Sequence, residues 1–99
     1  MDDKIELPKI GDIIAKEFLE PLGITPYRLA KDLGVSTSSI LDLVHNKRKI
    51  SVEMALRLSK YFGTTSEFWL NMQNELDLRE AREKLESDLA KIPACKMTA

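Results

Sequence analysis

The chain has 99 residues, 43% of them hydrophobic, enough for one domain with a single core. Fifteen Lys and Arg stand against 16 Asp and Glu, a formal charge of −1, so a uniformly basic nucleic-acid binder is excluded. No apolar run is long enough to span a membrane, and the opening MDDKIELPK lacks the basic-then-apolar pattern of a secretory signal.

Charge is unevenly placed along the chain. Residues 1–24 carry −3, residues 25–62 carry +4 and residues 63–92 carry −3, with Lys96 adding one positive charge. Overall neutrality thus hides a basic segment between two acidic ones, against the alternative of a solvated surface with chance clustering. The single cysteine, Cys95, forms no internal disulfide, which fits a reducing cytoplasm.

Residues 1–9 are polar and read as a flexible or extended arm. After Gly11 and Asp12, the residues Ile14, Ala15, Phe18 and Leu22 fall on one side of a helix, with Lys16, Glu17 and Glu20 outside. Pro21 lacks an N–H and disfavours helix at Glu20, so this helix is expected to end or tighten there and to close at Gly23.

Thr25 can cap a second helix, with Pro26 in its first turn where no N–H is missed. Leu29, Ala30 and Leu33 form its apolar face and Gly34 ends it. Ser36 caps a third helix whose inner positions are Ile40, Leu43 and Val44. Two short helices joined through a glycine turn form a helix-turn-helix, whose second helix reads base edges from its N-terminal end. Thr37, Ser38, Ser39 and Asp42 stand there as small polar base readers, against the alternative of a solvated face. Thr25, Tyr27, Arg28, Asn46, Lys47, Arg48 and Lys49 flank them as phosphate contacts, against the alternative that Lys47, Arg48 and Lys49 are a solvated loop. Tyr27 equally suits covering the core. His45 either caps the third helix or reaches a phosphate, and with Cys95 fifty residues away it makes no metal site.

A fourth helix runs from a Ser51 cap to about Phe62, with Ala55, Leu58 and Phe62 inside beside Met54 and Tyr61, and with Glu53, Arg57 and Lys60 outside. A fifth starts at Thr65, or at Thr64 with Glu67 completing a capping box. Trp69, Met72 and Leu76 give it a stripe at helical spacing, and Trp69, Phe68 and Met72 are expected in the core, against the alternative of a partner-binding surface. A second stripe, Leu78, Ala81, Leu85 and Leu89, is offset from the first, and Asp77 with Glu80 suits the start of a fresh helix. One bent helix and two helices both fit. The organisation expected is an arm over 1–9, a helix-turn-helix domain over 10–76, a helical extension over 77–92 and a frayed tail over 93–99. No Gly-rich phosphate loop, paired histidines or nucleophile elbow is present, so neither an enzyme nor a cofactor is expected.

The segments EFLEPLG, YRLAKDLGVSTSSI, NKRKIS and ALRLSKYFGTTSEFWLNMQ, in this order and register, resemble the HigA/VapI-like antidote proteins of toxin–antitoxin modules, within the XRE or Cro/repressor-like superfamily. The likeness spans roughly residues 11–82; EFLEPLG and EFWLNMQ are its specific part. It implies an all-α, five-helix, lambda-repressor-like domain with the motif as helices 2 and 3. It also implies a homodimer bound to double-stranded operator DNA, and a small RelE-like, messenger-RNA-cleaving toxin as protein partner. Three positions depart from the family pattern: Pro26 replaces the usual glutamine, Asn46 the usual glycine, and Asp42 an arginine or glutamine. A carboxylate at Asp42 repels phosphate unless it accepts from cytosine N4 or pairs with a base such as Lys47.

Overall fold

The computed structural model describes residues 7–96; most of the expected N-terminal arm and the end of the tail lie outside the described residues. Among those residues the chain is all helical, with five helices and no strand.

Helix α1 begins at Ile10–Ile13, widens into a π-helix over Ile14–Leu19 and returns to α geometry over Glu20–Leu22. It neither ends nor tightens at Glu20. The Glu20 N–H reaches back five residues to the Ala15 carbonyl. The wide turn accommodates Pro21, which has no N–H and whose ring would press on the carbonyl four residues earlier in a regular helix. The extra residue in the turn also shifts the buried face. Leu19 goes into the core at 3% exposure, and Leu22, expected inside, is 60% exposed.

Helix α2 (Pro26–Leu33) and helix α3 (Thr37–Val44) are the two halves of the motif. Gly34 takes φ 71 between them, a left-handed conformation that costs glycine nothing, and Val35 N–H closes on the Ala30 carbonyl at 3.0 Å. Helix α4 spans Val52–Phe62 and helix α5 Ser66–Ala90. Each of α2 to α5 starts on a hydroxyl cap: Thr25, Ser36, Ser51 and Thr65 accept from the third backbone N–H onward. Each such cap stabilises by about 1 kcal/mol. Thr64 has a different task, since its hydroxyl accepts from the Trp69 indole at 2.7 Å and satisfies the donor of a fully buried ring.

The core joins Ile10, Ile14 and Leu19 of α1 to the motif's Leu29, Ala30, Leu33, Ile40, Leu43 and Val44, and to Ile50, Ala55, Leu58 and Trp69. Phe18 stacks on Trp69 and Phe62, with ring centroids 4.7 and 5.2 Å away. Phe68 does not join Trp69 inside; it edges onto that ring at 5.1 Å and stays 42% exposed. Arg57, expected to face outward, folds back so that Nη1 donates to the Leu33 carbonyl at 2.6 Å, filling an orphan acceptor at the end of α2.

Residues 66–90 form one continuous helix of 25 residues rather than two. Asp77 and Glu80 therefore cap nothing. Only the first turns of α5 pack on the core, and every residue from 78 to 90 is exposed.

Candidate nucleic-acid interface

The caps that start α2 and α3 decide which hydroxyls are free. Thr25 Oγ1 accepts from Arg28 N–H at 3.1 Å, so its side chain is built into the cap of α2. Ser36 Oγ accepts from Ser39 N–H at 3.2 Å and lies 2.7 Å from Ser39 Oγ and 3.3 Å from Ser38 Oγ. Ser39 is thus turned toward the cap and half buried, whereas Ser38 is exposed. With Ile40, Leu43 and Val44 buried, the positions that helical spacing leaves on the outer side of α3 are Thr37, Ser38, Leu41, Asp42 and His45. Leu41 is the residue that sequence reasoning passed over; its half-exposed side chain between polar neighbours is the kind of apolar group that meets a thymine methyl.

Helix α2 presents Tyr27, 64% exposed, and Arg28. Tyr27 therefore does not cover the core. Arg28 Nε bonds Asp32 Oδ2 at 3.1 Å one turn on, and the Tyr61 hydroxyl of α4 donates to that same oxygen at 2.6 Å. The Tyr61 hydrogen bond, with the Arg28 guanidinium beside it, holds the Asp32 carboxyl below its ordinary value, and the same carboxylate raises the Tyr61 phenol.

The loop after α3 carries the basic cluster and is fixed at both ends by helices outside the motif. Asn46 adopts φ 62, the left-handed conformation that asparagine tolerates in place of glycine. Its side chain accepts from Gly11 N–H at 2.7 Å and donates to Asp12 Oδ1 at 3.1 Å, so the amide is engaged with α1 rather than turned outward. At the far end, Gln73 of α5 grips Ile50 twice, accepting from its N–H at 2.6 Å and donating to its carbonyl at 2.9 Å. Between these anchors the three cations differ. Lys47 is exposed and has no ion-pair partner among the described residues. Arg48 lies 3.8 Å from Asp42, so the base beside that carboxylate is Arg48 and not Lys47. Lys49 donates to Asp77 of α5 at 2.7 Å. His45 is exposed at the C-terminal end of α3. Among the described residues no group of His, Cys, Asp and Glu is arranged to hold a metal ion, and no helix is long and apolar enough to cross a membrane.

Gly11, Asp12, Gln73 and Asp77 escaped the reading of the site from sequence. The one available signal was the spacing of Gln73 and Asp77, which places both on one face of α5, but it has meaning only once the loop is known to lie against that face.

Comparisons with known proteins identify the family and the fold. The family profile described as Helix-turn-helix matches residues 16–70. Virulence-associated protein I of Dichelobacter nodosus is 43% identical over 86 residues, covering 85% of this chain and 80% of that protein. Antitoxin HigA-1 of Vibrio cholerae is 35% identical over 79 residues, covering 80% and 74% respectively. Among solved structures, the Pseudomonas aeruginosa antitoxin HigA with higBA promoter superposes with a TM-score of 0.84 at 35% identity, covering 92% of this chain and all of that one. Two of these three relatives are named antitoxins. The chain belongs to the helix-turn-helix family of XRE type, in the group that contains antitoxin HigA-1 and virulence-associated protein I.

Proposed function

We propose that this chain is a cytoplasmic antitoxin that binds double-stranded operator DNA as a homodimer, represses its own operon and neutralises a small RelE-like, messenger-RNA-cleaving toxin. The observation that carries the DNA part is the outward face of α3, where Thr37, Ser38 and Asp42 stand free of the core beside the exposed cations of the loop. Short polar side chains at the start of a recognition helix match the depth of the major groove, and cations around them match its phosphate rims. In this reading Thr37, Ser38 and Asp42 serve base recognition, while Ser39, turned toward Ser36, braces the cap of α3. Tyr27, Arg28, Lys47 and Arg48 serve the backbone, while Lys49 is held by Asp77, and Thr25 and Asn46 cap and turn the segments that present them. The relative with higBA promoter supports operator binding, and the relatives named antitoxin support a toxin partner.

The dimer is supported by the exposed second half of α5. Leu78, Leu85 and Leu89 of α5 and Ile92 just beyond it are between 39% and 66% exposed. One recognition helix reads only a few base pairs, so two half-sites one turn apart are the expected operator.

A second reading, a toxin-binding protein with weak DNA binding, draws on one observation. Asp42 sits among the readers, and two of the three loop cations are paired with carboxylates. One experiment separates the two readings. The purified chain is titrated against the duplex lying immediately upstream of its own coding sequence and, separately, against the product of the adjacent gene. Salt-dependent duplex binding together with a stable protein complex supports the first reading. A protein complex with no duplex binding at low salt supports the second.

A further inference from the structure

Two successive turns of α5 bond to two successive residues of the basic loop. Gln73 takes both main-chain groups of Ile50, and Asp77, four residues on and hence on the same face of α5, takes the ammonium of Lys49. The other end of the loop is held at Asn46 by Gly11 and Asp12 of α1. Lys47 and Arg48 therefore project from a loop that is tied at both ends.

We propose that Gln73 and Asp77 are positioning residues of the DNA interface: Gln73 presets the path of the loop, and Asp77 withholds Lys49 from the phosphates so that Lys47 and Arg48 bind there. The proposal rests on the DNA-binding reading above and deepens it. The physical grounds are two. A loop ordered before binding loses less conformational freedom on docking, so its interactions count more fully toward affinity. A lysine held 2.7 Å from a carboxylate neutralises no phosphate, so it displaces no counterion condensed on the DNA and adds little to the salt dependence of binding. Gln73 and Asp77 act through the loop and touch no DNA themselves.

The test uses the full chain, the duplex from immediately upstream of its coding sequence, and a scrambled duplex of equal composition. In the free protein, Gln73→Ala is expected to speed amide hydrogen exchange at Ile50 about tenfold while the amides of α2 and α3 keep theirs. Its affinity for the upstream duplex is expected to fall about tenfold at every salt concentration with an unchanged slope, because the loop loses order while every cation stays in place. Asp77→Asn lies at an exposed pair and leaves the fold intact; it is expected to steepen the slope of log K against log salt by about 0.9, the value of one more neutralised phosphate, on both duplexes. Asp77→Glu is expected to restore the wild-type slope. An Asp77→Asn slope equal to wild type overturns the role of Asp77. Faster exchange at Ile50 with unchanged affinity overturns the role of Gln73. If the wild-type chain binds neither duplex at low salt while Ile50 exchange still responds to Gln73→Ala, the clamp is a feature of the fold alone and both the DNA-binding reading and the positioning role fall.

Discussion

Gly11→Ala has a consequence that can be worked from local geometry. Gly11 is buried where α1 crosses the end of α3, and its N–H donates to Asn46 Oδ1 at 2.7 Å. A Cβ built there meets the Leu43 carbonyl oxygen, Asn46 Oδ1 at 2.5 Å and the Val44 carbonyl oxygen at 2.9 Å. Two of these three are main-chain oxygens of α3, which cannot rotate away, so the helices must separate. Forcing an extra carbon into a packed site costs about 1–3 kcal/mol, and losing the Gly11–Asn46 hydrogen bond costs about 1 kcal/mol more. Alanine recovers up to about 1 kcal/mol through its better helix propensity. Overpacking wins, leaving a net loss of about 1–3 kcal/mol. In a domain of this size each kcal/mol shifts Tm by about 4–8 °C, so melting followed by circular dichroism is expected to drop by roughly 5–20 °C. Asn46 is the first residue to be displaced, so duplex binding is expected to weaken in parallel even below the melting range. A variant that melts within about 2 °C of wild type would refute the close crossing of α1 over α3, and with it the fixed N-terminal anchor of the basic loop.

Three further outcomes are expected. Replacing both Lys47 and Arg48 by alanine should lower the slope of log K against log salt by about two, one for each phosphate that is no longer neutralised; an unchanged slope would remove both residues from the backbone. Asp42→Asn removes a charge and keeps the shape, so binding to random duplex should rise while discrimination at the base pair it reads falls by about 1–3 kcal/mol; equal strengthening on all sequences would mean that the carboxylate reads nothing. Asp32 has a lowered carboxyl pKa in the folded chain, so its pairing with Tyr61 and Arg28 stabilises fully above its ordinary 3.8 and is lost as pH falls through the lowered value. Tyr61→Phe should accordingly raise the Asp32 titration midpoint read by carbon NMR, and the stability difference between the two proteins should shrink as pH falls.

The helices, their starts and the core were legible in the sequence because each depends on local rules. Hydroxyl residues stand before α2 to α5, Gly34 and Gly63 close helices with positive φ, and the inner positions of α2, α3 and α4 repeat at helical spacing. The failure at α1 is equally physical. Pro21 was a correct sign of a disturbed helix, but a proline can be accommodated by ending, tightening or widening the turn before it. Only packing chose the third, by burying Leu19 in place of Leu22. The site divides the same way. Which hydroxyls face out follows from the wheel of α3. Which of them are free depends on the cap, where Ser36 draws Ser39 inward.

The charges were the least legible part, because a cation's partner is set by tertiary distance. Three consecutive bases, Lys47, Arg48 and Lys49, look equivalent as a string. Yet among the described residues Lys47 has no ion-pair partner, Arg48 lies loosely beside Asp42, and Lys49 is held by a residue 28 positions away. The positive block of residues 25–62 is therefore weaker at the loop than its count suggests, and the difference falls on the term that dominates DNA affinity. A chain of near-zero net charge that also pairs its own phosphate-seeking side chains will hold random duplex weakly. Under the proposed function, binding to a particular site then comes from α3, where Thr37, Ser38, Leu41 and Asp42 face out. Within the proposed function the carboxylates at Asp42 and Asp77 are thus part of the selectivity: they lower the electrostatic affinity common to all sequences and leave base recognition to decide the rest.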